Sequence, residues 1–167
     1  MRERQTAQDA RRAREFHAFV AGAGGRLLHA ATLLTAEDPR DNPRARRLLT
    51  PVLAQTYASW DRLRGEDPYD RARLCLATRF ARGAWHRYGF PGRSRPSRPG
   101  ALARLSPSER LILVLRLYEG VAEEQAAALL GLSPERVRTI CDRAVTTLLH
   151  PPRGPAPAAI GAKVAPS

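Results

Sequence analysis

Lysine is nearly missing from this 167-residue chain. Lys163 is the single lysine among 28 basic residues, so a net charge of +12 and an isoelectric point near 11.3 rest on arginine. A surplus of this size points to an anionic partner, nucleic acid ahead of a membrane surface, because no basic amphipathic stretch carries a bulky apolar face. An arginine bias also follows from GC-rich coding, so charge alone does not identify the partner.

Cysteine is scarce too. Cys75 and Cys141 stand alone inside apolar helical patterns, which excludes a disulfide framework and fits reduced, packed thiols. His17, His29, His86 and His150 have no Cys or carboxylate at ligand spacing, so neither a zinc site nor any other metal or cofactor is expected. Long apolar runs are absent: "LILVL" at 111–115 falls far short of the about 20 residues that cross a bilayer. "FHAFVAGAGG" is too broken for the core of a signal peptide, and a cytoplasmic protein is expected. The glycines at 22–25 have no strand before them and no Lys-Ser/Thr after them, which argues against a phosphate-cradling loop. With no nucleophile–base pair and no carboxylate dyad, the chain does not read as an enzyme. Neither strand-like alternation nor a repeat of 20–50 residues is found.

What remains is helix, and the fold class reads as all-α, two small lobes joined by a short basic linker. In the first helix the apolar positions Phe16, Phe19, Val20, Leu27, Leu28, Ala31 and Leu34 keep helical spacing. A frayed start over 1–14 and a kink or break at "GAGG" are expected. Asn42-Pro43 looks like an N-cap followed by Pro at the first helical position. Leu48, Leu49, Val52, Leu53, Thr56, Tyr57 and Trp60 mark the stripe of the next helix, which Pro51 should kink or restart with Thr50 as cap. Arg71 to Arg87 returns to helix, with Leu74, Cys75, Thr78, Ala81 and Trp85 on one side. "YGFPGRSRPSRPG" (88–100) cannot continue a helix, and its arginines are either solvated or a strap tracking phosphates. Ser106-Pro107-Ser108-Glu109 is a capping box, and the helix behind it ends on Gly120. A short helix from Ala122 to Leu130, a turn at Gly131 and a last helix capped by Ser133 and running to Leu149 complete the ordered chain. A disordered tail follows.

The pair at 122–149 meets the needs of a DNA-binding helix-turn-helix, although a plain helical hairpin in a bundle has the same outline. Ala126 and Ala127 permit close approach, Leu129, Leu130 and Leu132 fill the corner, and Val137, Cys141, Ala144 and Leu148 form a buried stripe. Arg136, Arg138, Thr139, Asp142 and Arg143 are left outward or flanking. Leu105, Arg110, Leu115, Arg116, Glu119, Gly120, Glu124, Ala127, Leu130, Gly131, Ser133, Val137, Arg143, Ala144 and Leu148 make this stretch resemble region 4 of bacterial sigma-70-type factors of the extracytoplasmic-function group. "EFHAFVAGAGGRLLHAATLLTAED", "LAQTYASWDRL" and "DPYDRARLCLATRFARGAWHR" look, more faintly, like helices of region 2 in the same group.

The resemblance implies a region 2-like domain over 15–87, a linker over 88–104, a region 4-like domain over 105–149 and a tail over 150–167. It implies promoter DNA and RNA polymerase core enzyme as partners, with an anti-sigma or other regulatory protein as a further one. Arg136, Arg138, Thr139 and Arg143 would meet the −35 element, and Arg79, Arg82, Trp85 and Arg87 the −10 element. On its own charge pattern, the linker would set Arg93, Arg95 and Arg98 against DNA phosphates. Arg47, Leu48, Thr50, Tyr57 and Trp60 would face polymerase. The chain departs from the family pattern in a basic Arg47 where an acidic residue is usual, in Pro51, in Thr78 where Asn is common, in Ile140 at a usually basic position, and in the acidic Asp142. The alternative function is a sigma-like DNA-binding regulator with degenerate polymerase binding that acts through a protein partner.

The stretch from Arg87 to Arg104 holds five arginines, Arg87, Arg93, Arg95, Arg98 and Arg104, and no acid, whereas 133–149 holds three arginines against Glu135 and Asp142. Neutralising Arg93, Arg95 and Arg98 together should flatten the plot of log affinity against log salt by about 0.9 for each phosphate that these arginines neutralise. An unchanged slope in a duplex titration would assign them to solvation.

Overall fold

The computed structural model describes residues 2–63, 65–87 and 99–150, with the side chains of 2, 3 and 84–87 excepted. Among the described residues six helices appear, in the order α1 (Arg2–Thr35), α2 (Pro43–Ala58), α3 (Pro68–Arg87), α4 (Pro107–Leu113), α5 (Glu123–Leu130) and α6 (Pro134–Leu149). A 3₁₀ turn (Trp60–Arg62) follows α2 and a π-helical turn (Val114–Tyr118) extends α4. The fold is all-α. Among the described residues the extended pairings are isolated bridges, Glu37 with Pro99 and Asp38 with Asp41.

Helix α1 runs through its glycines without a break, contrary to the expected kink, and its first 14 residues are helical rather than frayed. Each Gly costs a helix up to about 1 kcal/mol relative to Ala. That cost is offset by the fully buried Leu27 and Ala31 and the nearly buried Ala30 and Leu34. At the other end Arg12 lies 3.4 Å from Asp61 and over the ring of Tyr57, which ties the first turns to the end of α2.

The cap of α2 also differs from the expectation. Asn42 makes no side-chain cap and instead donates to the Thr32 hydroxyl at 3.0 Å. The buried Glu37 takes its place, its two oxygens accepting from the amides of Arg44 (3.0 Å) and Ala45 (2.8 Å). A carboxylate here satisfies orphan donors and suits the positive end of the helix. Beyond it α2 passes through Pro51 unbroken, and Thr50 is no cap, because its hydroxyl donates back to the carbonyl of Arg46 at 2.8 Å. An interior Pro costs about 3 kcal/mol. The stripe of Ala45, Leu49, Val52 and Thr56, buried on both sides of Pro51, keeps the two halves of the helix aligned.

Helix α3 begins at Pro68 rather than Arg71, with the Asp67 carboxylate accepting from the Tyr69 amide at 2.9 Å. Among its described side chains the buried ones are Ala72, Leu76 and Ala77, and Leu74, expected inward, is 42% exposed. The reason is that α3 packs against α2, α1 and α4, so its buried face is turned away from the stripe that a single neighbour would select.

The two halves of the chain share one hydrophobic cluster, from Leu27, Leu34 and Val52 through Leu76 to Leu102, Leu105, Ile112 and Val137. The segment before α4 is pinned to the α1–α2 turn, where the Gly100 amide donates to the Ala36 carbonyl at 2.9 Å. A Cβ at residue 100 would sit 2.1 Å from the carbonyl oxygen of Glu37. In the π-helical turn the Glu119 amide reaches the Val114 carbonyl at 2.9 Å, five residues back. The wide turn sets Tyr118 and Glu119 against α1 and α3 and leaves Leu117 63% exposed.

Two glycine substitutions should therefore act in opposite directions. Gly25→Ala meets open space and should stabilise by about 0.5–1 kcal/mol. Gly100→Ala must push the backbone of Glu37 aside and should cost about 1–3 kcal/mol. Thermal unfolding checks both, at roughly 2–4 °C per kcal/mol for a chain of this size.

Candidate nucleic-acid interface

The helix-turn-helix is built from local signals that the structure bears out. Ser106 and Glu109 form a complete capping box on α4, with Pro107 behind it. Gly131 ends α5 in the left-handed conformation (φ +65°), and the Leu132 amide closes the turn on the Ala127 carbonyl at 3.0 Å. Ser133 caps α6 by accepting from the Arg136 amide at 3.2 Å. Val137, Ile140, Cys141 and Ala144 are buried against α4 and α5, and the rotation this sets leaves Arg136, Arg138, Thr139, Asp142 and Arg143 exposed. Ile140 therefore serves the core, not the outer face. Burial pushes the Cys141 thiol up from its usual pKa, as expected of a packed, unreactive cysteine.

The three arginines of α6 differ in surroundings. Arg138 meets Glu123 of α5 through two N–H groups at 2.7 and 3.3 Å. Glu123 also lies 4.0 Å from Arg116, whose guanidinium holds the Val121 carbonyl. Arg143 donates through Nε to Glu109 of α4 at 2.8 Å, while the other oxygen of Glu109 accepts from the Ser106 amide at 2.8 Å. Among the described residues the Arg136 guanidinium has no ion pair. Burial opposes the charge of Glu109, but the Ser106 bonds and Arg143 outweigh it and hold the carboxyl below the usual range.

The other candidate positions are dispersed. Arg79 and Arg82 are exposed on α3, whereas the side chains of Trp85 and Arg87, and all of Arg93, Arg95, Arg98 and the tail over 151–167, lie outside the described residues. On α2, Arg47 and Thr50 are exposed and Leu48 is half-buried. Tyr57 and Trp60 instead turn against α1, with ring centroids 5.0 and 5.4 Å from Phe16 and the Trp60 indole donating to Glu15 at 3.2 Å. Of the five positions expected to face polymerase, Arg47 and Thr50 are therefore exposed and Leu48, Tyr57 and Trp60 half-buried. Sequence reasoning missed Glu123 and the second role of Glu109, because their partners lie 15 and 34 residues away. Among the described residues no group of three or more His, Cys, Asp or Glu could hold a metal ion, and no helix is long and apolar enough to cross a membrane.

Residues 101–150 match the family model for sigma-70, region 4. The chain is also 30% identical over 156 residues to the RNA polymerase sigma-E factor of Streptomyces coelicolor, covering 80% of this chain and 84% of that protein. The chain belongs to the sigma-70 family. Its kinship is with the extracytoplasmic-function group. No solved structure matches it. As a sigma-70 region 4, the α5–α6 pair is a DNA-binding helix-turn-helix.

Because Glu109 is held below the ordinary carboxylate pKa in the folded state, its contribution is complete above about pH 4.5 and is lost as pH falls through its lowered pKa. Glu109→Gln should therefore reduce stability near neutral pH and make the acid-side decline shallower. Melting temperatures recorded between about pH 3 and 6 check this, since a titrating Glu109 requires the wild-type and variant curves to converge at the acid end.

Proposed function

We propose that the chain is an RNA polymerase sigma factor of the extracytoplasmic-function type, which brings core enzyme to promoters and has no catalysis or cofactor of its own. A region 2-like domain (15–87) takes the −10 element through Arg79, Arg82, Trp85 and Arg87 of α3. The linker (88–104) follows intervening phosphates with Arg93, Arg95 and Arg98. A region 4-like domain (105–149) takes the −35 element through α6, whose outward residues include Arg136, Arg138, Thr139 and Arg143. The observation that carries this reading is the outward face of α6, exposed and arginine-bearing, on a helix-turn-helix whose turn at Gly131 is closed and whose second helix is capped by Ser133. The setting is the cytoplasm, where an anti-sigma protein is a fitting regulator.

A second reading is favoured by α2. Its first five residues carry Arg44, Arg46 and Arg47, and the helix contains no acidic residue. Tyr57 and Trp60 are engaged by α1. A surface of this sign repels a basic clamp, which supports a sigma-like regulator that acts through another protein.

Co-purification with core polymerase from native extract, followed by run-off transcription, separates the two readings. The sigma reading expects retention of core and promoter-dependent transcripts. Sequence-specific DNA binding without retention would favour the regulator. Under the regulator reading Arg47→Asp should tighten core binding roughly three- to tenfold, measured by titration, because it removes a like charge from the docking face.

A further inference from the structure

Two carboxylates tie α6 to the helices it packs on, Glu123 to α5 and Glu109 to α4. The side chains of Arg138 and Arg143 are 66% and 64% exposed, yet each is tied to a glutamate side chain only 12% exposed, Glu123 and Glu109. The glutamates are fixed in turn, Glu123 in the first turn of α5 beside Arg116 and Glu109 in the capping box of α4. The ties fall five positions apart on α6 and reach two different helices. The buried stripe sets the rotation of α6, and two ties to two different helices add a restraint on its tilt that one tie could not. Arg136 carries no such tie among the described residues.

We infer that Glu109 and Glu123 are positioning residues for DNA readout, which use Arg143 and Arg138 to set the angle of α6 and leave Arg136 and Thr139 to touch the duplex. The inference rests on α6 being the −35 helix. The Nε–Nη2 edge of Arg138, which could grip a phosphate as a fork, is taken by Glu123, and the Nε of Arg143 by Glu109, so neither arginine offers that edge to DNA while it is tied. If Arg138 or Arg143 left for DNA, a shielded glutamate would be unpaired beside a polyanion. With the pairs intact, Glu109 and Glu123 neutralise two of the three arginines. Glu135 and Asp142, also on α6, remove any net positive charge from this face.

The test uses the full chain, a duplex enriched by the wild-type protein from a randomised pool, and a scrambled duplex of the same composition. Arg136→Ala should lower the slope of log affinity against log salt by about 0.9. Arg138→Ala and Arg143→Ala should leave that slope unchanged while the ratio of enriched to scrambled binding falls roughly tenfold. Glu123→Gln and Glu109→Gln should lower the ratio equally, and Glu123→Gln combined with Arg138→Ala should be no worse than either alone. Arg138→Lys keeps the charge and loses the fork, so it should behave like Arg138→Ala, and it serves where the alanine variant unfolds by circular dichroism. A lowered slope in Arg138→Ala, a wild-type ratio in Arg138→Lys, or tighter scrambled-DNA binding in Glu123→Gln would overturn the inference, because each means that Arg138 reaches phosphate and Glu123 merely competes. Failure of the wild type to enrich any duplex would instead remove the −35 reading itself.

Discussion

The carboxylate of Glu119, at the end of the π-helical turn, is only 1% exposed. A charge taken out of water is tolerated when it is paired and hydrogen-bonded. The Tyr69 hydroxyl stands 2.9 Å from both Glu119 oxygens, and Nη2 of Arg26 lies 3.4 Å from one of them. Those partners come from α3 and α1, so the requirement to satisfy one side chain of the second half recruits two helices of the first. Arg26 in turn lies over the rings of Tyr69 and Tyr118, and the Tyr118 ring meets His29 at 5.2 Å. Burial first, and then the bond to Glu119, raises the pKa of Tyr69 and keeps its phenol protonated as a donor.

From this anchoring follows what the molecule presents. Because α4 and the π-helical turn lie on α1 and α3, α5 and α6 are carried on their far side, and α6 packs chiefly on α4 and α5. The helix-turn-helix therefore keeps its outer face open, while α3 is covered along part of its length by α4. The pin at Gly100 acts in the same sense, fixing the end of the linker on the α1–α2 turn beside the carboxylate that caps α2.

The parts legible in the sequence are those that depend on residues within one helical turn of each other. The Ser106–Glu109 box, the Ser133 cap, the turns at Gly120 and Gly131, and the stripe of Val137, Cys141 and Ala144 were all readable, as was the helix-turn-helix they compose. Local signals misled where tertiary packing outweighed them: Pro51 lies inside a helix whose buried stripe continues on either side, and the glycines of α1 lie just before Leu27, Ala30, Ala31 and Leu34, which bury the rest of that helix. Asn42 lost its cap because a better acceptor, Glu37, is delivered by the turn before it. Around the candidate site the exposed arginines were legible and their partners were not. Helical periodicity assigns a residue to a face, but which carboxylate waits there is decided by how separate helices cross.

The reach of α1 also bears on synthesis. Arg26 and Tyr118 exchange hydrogen bonds across 92 residues. At about 5–20 residues per second, a translating ribosome exposes the first of them roughly 5–20 s before the second exists. Helix formation and collapse take microseconds, so α1 meets α2 and α3 long before α4 is made. The N-terminal half must hold Leu27, Ala31 and Leu34 on those two helices alone, with Arg26, His29 and Tyr69 still in water. The C-terminal half then arrives at a surface already formed, and its docking is the last step in building the molecule.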